Sequence, residues 1–149
     1  MAIKPGQPAP QFTLTSSELK EVSLSDFKGK KVIIHFFPLA FTGTCKQQLC
    51  TVRDSYNDPN IEILAISVDS PFTLAKFKEE NYYQFTLLSD FNKEVSTAYE
   101  TIYEKFYGLK GVAKRAAFVI DENQLIVYAE VLENADSLPD FRAIAEAVK

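Results

Sequence analysis

The side chains best suited to covalent chemistry in this chain of 149 residues are its two cysteines, Cys45 and Cys50. Cys45 comes shortly after the apolar run KVIIHFFP at 31–38, at the start of a stretch whose pattern is typical of a helix. In the first turn of a helix, free N–H groups and the positive end of the dipole stabilise a thiolate, which is the nucleophilic form of cysteine. The sequence therefore predicts either a reactive thiol at Cys45 or, since free cysteine is commonly buried, an inert core thiol.

A proline and a threonine precede Cys45. Thr42 lies three residues before it, where a hydroxyl can reach into the first helical turn, and Pro38 closes the apolar run. Each has an ordinary structural explanation by itself, as a helix cap and as the end of a strand. Taken together, the pattern Pro38-x-x-x-Thr42-x-x-Cys45 resembles the signature of the peroxiredoxins. Segments that match this family extend over nearly the whole chain: PGQPAPQFTL, KVIIHFFP, ILAISVDS, LLSD and RAAFVID.

The resemblance implies a role for each residue of the motif. Cys45 matches the peroxidatic cysteine, whose thiolate attacks the O–O bond and becomes a sulfenic acid. Thr42 matches the threonine whose hydroxyl binds the thiolate and the peroxide, and Pro38 matches the proline that shields the site. Arg115 matches the arginine whose fixed charge stabilises the thiolate and the leaving oxygen, although a surface ion-pair arginine is the ordinary alternative. The backbone N–H groups of Thr44 and Cys45 are candidate donors to the substrate oxygen.

Two polar residues near the motif have roles that the sequence leaves open. Gln48 stands where many relatives in the family carry Glu. A neutral amide can bond to Arg115 but supplies no charge, so the placement of the arginine is open. His35 is the only histidine and lies within the apolar run, which favours a core histidine bonded to the backbone over a catalytic base.

Cys50 follows Cys45 with four residues between them, a spacing that resembles the bacterioferritin comigratory (Q-type) peroxiredoxins. In that group the second cysteine resolves the sulfenic acid by forming a disulfide. The segments FPLAFTGTC and VLENADSLPDF also resemble the alkyl hydroperoxide reductase E type, in which a resolving cysteine need not be present. Residues five apart on a regular helix have Cα atoms roughly 8–9 Å apart, beyond the limit of about 7 Å for a disulfide. Resolution by Cys50 thus requires the helix to unwind; otherwise Cys50 is an apolar packing residue.

The elements that must hold these residues alternate between strands and helices. The apolar runs at 31–37 and 61–68 are typical of strands buried on both faces, with a helix from Thr42 to Tyr56 between them. Further predicted elements are short strands around 12–14 and 22–24, a helix from Ser70, a strand at 85–88, a helix at 92–100, a hairpin of 116–120 and 125–131, and a final helix bearing Leu138 to Val148. This order predicts an α/β protein with a thioredoxin-like fold, a central mixed sheet with helices on both faces, as one domain over 1–149.

Composition excludes several classes of function. The net charge of −4 provides no global basic field for nucleic acid or an anionic membrane, and no apolar window is long enough for a membrane span. The first twelve residues lack the apolar core of a signal peptide, which predicts a cytoplasmic protein. Two cysteines and one histidine exclude a disulfide-rich scaffold and a four-cysteine zinc site. We expect no metal or organic cofactor, because in the mechanism that the resemblance implies peroxide oxidises sulfur directly.

The resemblance also implies partners. They are a peroxide substrate, a thioredoxin- or glutaredoxin-type reductant and, in many relatives, a second copy of the chain. Phe41 is a candidate for lining the substrate mouth or a dimer contact. Tyr99, Tyr103, Phe106 and Tyr107 recur at helical spacing, which predicts either core packing or a partly exposed cluster at a subunit contact.

Two functions of other classes compete with a peroxidase. A thioredoxin-like disulfide reductase normally needs C-x-x-C, so the longer Cys45–Cys50 spacing counts against it. A thiol sensor or metal-delivery module could use the two cysteines with His35, but no extra domain or basic surface indicates a signalling output. Within the peroxidase class, a one-cysteine enzyme resolved by an external thiol remains the alternative to resolution by Cys50.

Overall fold

The computed structural model describes residues 3–55 and 58–149, and these residues form one sheet with helices packed on it. The elements in chain order are β1 (Thr13–Ser16), β2 (Glu21–Ser23), a short 3-10 helix (Leu24–Phe27), β3 (Lys31–Phe36), α1 (Gly43–Ser55), β4 (Ile61–Ser67), α2 (Pro71–Asn81), β5 (Thr86–Ser89), α3 (Glu94–Ala98), β6 (Arg115–Ile120), β7 (Ile126–Leu132) and α4 (Phe141–Ala147).

The sheet is mixed, as the sequence predicts. Its strand order is β2-β1-β5-β4-β3-β6-β7, and β3, β4 and β5 run parallel to one another. The late hairpin β6–β7 joins it with β6 antiparallel to β3. Strand β3 is central and covered on both faces, which explains why its sequence is almost uninterruptedly apolar.

Alternation along β3 divides the core into two layers. Ile34 and Phe36 pack on one face with Tyr99, which follows α3. On the other face, clusters that include Leu49 of α1, Phe77 of α2 and Ile144 of α4 cover the sheet. Helices therefore lie on both faces, as predicted.

The register of β3 and β6 places two polar residues on the face covered by α1. His35 is opposite Ala117 in the antiparallel pair, and Arg115 lies two residues before Ala117 and so on the same face. The sheet thus directs one imidazole and one guanidinium toward the helix that carries both cysteines.

Local sequence explains where several elements begin. The Ser70 hydroxyl accepts the Thr73 N–H at the start of α2, and Pro71 occupies the first helical position. Asp140 accepts the Ala143 N–H in the same way, so α4 begins at Phe141 and excludes Leu138, which the sequence assigned to the final helix. The predicted end of α1 at Tyr56 lies outside the described residues.

The prediction of a helix over 92–100 is too long. Helix α3 covers Glu94–Ala98, and the helical spacing of the aromatic residues after it does not continue as a helix. Isolated β-bridges instead join Ile102 to Ala113 and Phe106 to Leu109, which makes 101–113 an irregular excursion. Tyr99 is fully buried in the core, whereas Tyr107 is 88% exposed, so these aromatics do not form one cluster.

No helix in the described ranges is long and apolar enough to cross a membrane.

Candidate active site

The loop that leaves β3 brings Cys45 to the first turn of α1. Cys45 is the third residue of the helix and is 0% exposed. The first helical hydrogen bond runs from the Lys46 N–H to the Thr42 carbonyl at 2.9 Å. Over the described part of the chain, no acceptor is found for the N–H groups of Thr44 and Cys45. The thiol therefore lies at a helix start with free backbone donors beside it.

Arg115 reaches this thiol from β6. Its Nη1 lies 3.3 Å from Cys45 Sγ, and the guanidinium is buried with its residue only 2% exposed. The Ala135 carbonyl accepts from Arg115 Nε at 3.2 Å and from Nη2 at 2.8 Å. None of the ion pairs found between described residues includes Arg115. Its positive charge therefore lacks a carboxylate partner there and faces the sulfur.

Hydrogen bonds through Gln48 connect Arg115 to His35 in the core. Arg115 Nη1 also donates to Gln48 Oε1 at 2.8 Å, and Gln48 Nε2 lies 2.9 Å from His35 Nδ1. Both side chains are fully buried. Burial lowers the pKa of His35 to about 3, so the imidazole is neutral at physiological pH. The expected backbone-bonded histidine is wrong in its partner, because His35 bonds to a side chain.

The loop before α1 contains Pro38 and Thr42, and the first turn of the helix contains Thr44. Thr42 is exposed and its hydroxyl donates to the Leu39 carbonyl at 2.9 Å, so the oxygen keeps lone pairs that can accept a hydrogen bond. Pro38 is buried and Thr44 is half-buried. The hydroxyl of Thr42 is thus held in the loop before Cys45.

Cys50 lies farther along α1 with a different partner. It is half-buried, and its Sγ lies 3.5 Å from the hydroxyl of Tyr83. Burial raises the pKa of Tyr83, and the hydrogen bond with Cys50 raises it further, so the phenol stays protonated and can donate to the sulfur. Both cysteines are free thiols within an intact helix.

Sequence reasoning did not assign Tyr83 or Ala135 to the site, and it noted Tyr103 only as a core or subunit-contact aromatic. Tyr83 holds Cys50, Ala135 holds Arg115 through its carbonyl, and the Tyr103 hydroxyl donates to the Glu133 carbonyl at 3.2 Å, two residues before Ala135. Burial raises the pKa of Tyr103, whereas the nearby charge of Arg115 opposes that increase. A backbone carbonyl carries no side-chain signal, and isolated tyrosines in a chain with seven of them do not stand out.

Phe41 precedes the helix with a half-exposed ring. Its side chain is 52% exposed, and its ring centroid lies 5.1 Å from that of Phe77 in α2. No group of three or more His, Cys, Asp or Glu side chains that could hold a metal occurs in 3–55 and 58–149.

Comparison with known proteins places this chain in a family. The model of the AhpC/TSA family matches residues 5–129. The chain is 42% identical over 128 residues to the Haemophilus influenzae protein named "Putative peroxiredoxin bcp", covering 82% of each chain. It is 35% identical over 156 residues to the Rattus norvegicus "Thioredoxin-dependent peroxide reductase, mitochondrial", covering 96% of this chain and 58% of the relative.

A solved structure confirms the thioredoxin-like fold. The crystal structure of a peroxiredoxin-like protein from Aquifex aeolicus superposes with a TM-score of 0.91 at 22% identity, covering 99% of this chain and 87% of that one. The family model and the named relatives therefore define a thiol-dependent peroxidase of the peroxiredoxin class. The chain belongs to the AhpC/TSA family.

Proposed function

We propose that Cys45 is the peroxidatic cysteine and that hydrogen peroxide and organic hydroperoxides are its substrates. The observation that carries this proposal is the 3.3 Å contact between Cys45 Sγ and Arg115 Nη1 at a helix start. A permanent cation and the positive end of a helix both favour the thiolate over the thiol. In the proposed step, the thiolate attacks one peroxide oxygen and the O–O bond breaks: Cys–S⁻ + ROOH + H⁺ gives Cys–SOH + ROH.

Several neighbouring groups are suited to hold the peroxide during this step. The free N–H groups of Thr44 and Cys45 can donate to a peroxide oxygen, and Arg115 can stabilise the charge that moves to the leaving oxygen. Thr42 donates its own proton to the Leu39 carbonyl, so we assign its oxygen the role of accepting the peroxide O–H. Pro38, which is buried beside the loop, is proposed to keep water from the sulfur.

We propose that Cys50 then resolves the sulfenic acid: Cys45–SOH + Cys50–SH gives the disulfide and water. The spacing of the two cysteines in α1 indicates that this step requires local unfolding. A regular helix separates the Cα atoms of residues five apart by roughly 8–9 Å, whereas a disulfide needs them within about 7 Å. Lys46 and Gln47 already face water, whereas unwinding of this part of the helix must also expose the buried Gln48 and Leu49.

A dithiol reductant of the thioredoxin or glutaredoxin type would return the disulfide to two thiols. The name of the rat relative supports the thioredoxin type. We assign the chain to the cytoplasm, because its two free cysteines suit a reducing compartment.

We also propose a homodimer that covers Phe41. Light scattering is expected to give twice 16.8 kDa, and a constant monomer mass at all concentrations would contradict it.

The experiment that tests the proposed function compares Cys45→Ser with Cys50→Ser in a single turnover with peroxide. We expect Cys45→Ser to abolish peroxide consumption and Cys50→Ser to retain the first oxidation and accumulate sulfenic acid. The two variants are matched controls, since each removes one thiol from the same helix. Loss of the first oxidation in Cys50→Ser, with Cys45→Ser active, would overturn the assignment.

A one-cysteine enzyme is the second candidate function. The observation that favours it is that Cys50 contacts Tyr83 in the reduced helix, whereas the contact of Arg115 is with Cys45. In that case, Cys45 sulfenic acid would form a mixed disulfide with an external thiol, and mass spectrometry would find Cys50 reduced after peroxide treatment.

A further inference from the structure

His35 occupies a space that the sheet keeps open for it. Its neighbours across the sheet are Ala65 on β4 and Ala117 on β6, and neither alanine fills the space beside the imidazole. Gln48 enters this space from α1 and lies 2.9 Å from His35 Nδ1. The ring of Phe141 from α4 lies on the same side, with its centroid 6.1 Å from that of His35.

The chemistry of the side chains fixes which atoms donate and which accept in the hydrogen bonds of Gln48 with Arg115 and His35. A guanidinium has only donors, so the Gln48 atom that faces Arg115 must be the amide oxygen. The amide nitrogen then faces His35, and because that nitrogen only donates, Nδ1 of His35 must accept. The imidazole proton is therefore on Nε2, which is buried and has no hydrogen-bond partner in the described ranges.

We propose that His35 is a positioning residue for peroxide reduction, which orients the amide of Gln48 so that its oxygen holds Arg115 against Cys45. The chain of contacts runs from Nδ1 of His35 through the Gln48 amide to Arg115 Nη1, and from there to Cys45 Sγ. This inference rests on the proposed roles of Cys45 and Arg115 and adds the origin of the arginine's orientation.

The side chains that link His35 to Arg115 are neutral, which affects the charge that Arg115 presents to Cys45. Gln48 holds Arg115 without neutralising it, so the positive charge remains available to the thiolate. A carboxylate at position 48 would share that charge and would also face the lone pair of His35 Nδ1. Burial lowers the pKa of His35, and its neighbours Ala65, Ala117, Gln48 and Phe141 carry no titratable group.

Nitrogen NMR of the wild-type protein tests the geometry without reference to activity. His35 is the only histidine, so its two ring nitrogens are assigned without ambiguity. We expect a proton on Nε2, a lone pair on Nδ1 and no protonation between about pH 5 and 8. A proton on Nδ1, or titration in that range, would overturn the proposal.

Two variants of nearly equal size test the effect on catalysis. His35→Leu removes the acceptor, whereas His35→Asn can present its side-chain oxygen near the place of Nδ1. We expect His35→Leu to slow Cys45 oxidation by about fivefold to tenfold, the effect of one lost hydrogen bond, and to move the pH profile of the rate to higher pH. His35→Asn is expected to recover most of the wild-type rate and profile.

Controls separate this inference from the proposed function. Ile33→Val trims a buried side chain on the same face of β3 and is expected to leave the rate and pH profile unchanged. If Arg115→Ala slows the reaction strongly and His35→Leu does not, the inference about His35 fails alone. If Arg115→Ala leaves the rate at the wild-type level, the proposed function of the site fails.

Discussion

The Sγ atom of Cys50 lies 3.5 Å from the hydroxyl of Tyr83, whose ring packs against two other aromatic rings. Tyr83 stacks on Phe85 at a centroid distance of 5.1 Å and meets Phe77 edge-on at 5.4 Å. In the reduced helix, the Cys50 thiol therefore lies beside aromatic rings and has a hydrogen bond with the Tyr83 hydroxyl. Any disulfide with Cys45 must break that contact first.

Removal of the Tyr83 hydroxyl is therefore expected to favour resolution. In Tyr83→Phe the ring contacts remain and the hydrogen bond to Cys50 is lost, which costs the reduced form about 1 kcal/mol. We expect disulfide formation to become about fivefold faster, and hyperoxidation of Cys45 to sulfinic acid to decrease. Rapid quench with mass spectrometry measures both. Tyr82→Phe, at a neighbouring site that is 76% exposed, is the control, and equal effects from both variants would contradict the prediction.

Hydrogen exchange is expected to report the unfolding that precedes the disulfide. Residues 43–52 form the first part of α1, and the amides from Lys46 onward, which bond within the helix, should be protected in the reduced protein. After peroxide treatment we expect faster exchange in this segment and an intramolecular Cys45–Cys50 bond. Unchanged protection alongside a confirmed disulfide would show that the helix does not need to unwind.

Truncation of Arg115 is expected to slow peroxide reduction by roughly 10²–10³, the usual effect of removing a group that stabilises developing charge. Stopped-flow kinetics with peroxide measure this change. Arg142→Ala on the exposed surface of α4 is the control for loss of a positive charge. A similar decrease in both variants would mean that net charge, and not the contact with Cys45, sets the rate.

Stability is expected to fall in acid because of His35. Its pKa is lowered to about 3 in the folded protein, so between that value and the ordinary pKa of about 6.5 only the unfolded chain binds the proton. The stabilisation is present above about pH 6.5 and is lost progressively as the pH falls. Between about pH 7 and pH 5, the free energy of unfolding should decrease by about 2 kcal/mol more in the wild type than in His35→Leu. Urea unfolding at both pH values measures the difference, and parallel decreases would contradict it.

The sequence predicts the sheet better than the edges of the helices. Strand β3 is recognised because every residue of its interior is apolar except one, and Ser70-Pro71 marks the start of α2 by a cap and a fixed φ. The helix predicted over 92–100 is too long at both ends, because Lys93 and Glu100 adopt positive φ angles of 63° and 55° on either side of α3. Tyr99 enters the core there, and Tyr107 has a positive φ of 50° in an exposed turn.

The residues of the site likewise fall into those that the sequence predicts and those that it does not. Residues that belong to one short motif, such as Thr42 and Cys45, can be found by reading along the chain. The contact between Gln48 and His35 joins residues 13 apart on a helix and a strand, and depends on which face of the sheet each occupies. Pairing of that kind is fixed by register, which periodicity alone does not provide.

The complete burial of Cys45 is also expected to limit how fast the enzyme responds to its substrate. We expect a sulfur with no accessible surface to meet a peroxide only when the loop around Phe41 and Thr42 opens. At high peroxide the oxidation rate should therefore stop rising and approach the opening rate, with the same ceiling for small and bulky hydroperoxides. Stopped-flow traces over a wide concentration range would reveal that plateau, and a rate that rises in proportion to peroxide throughout would show that access is not gated.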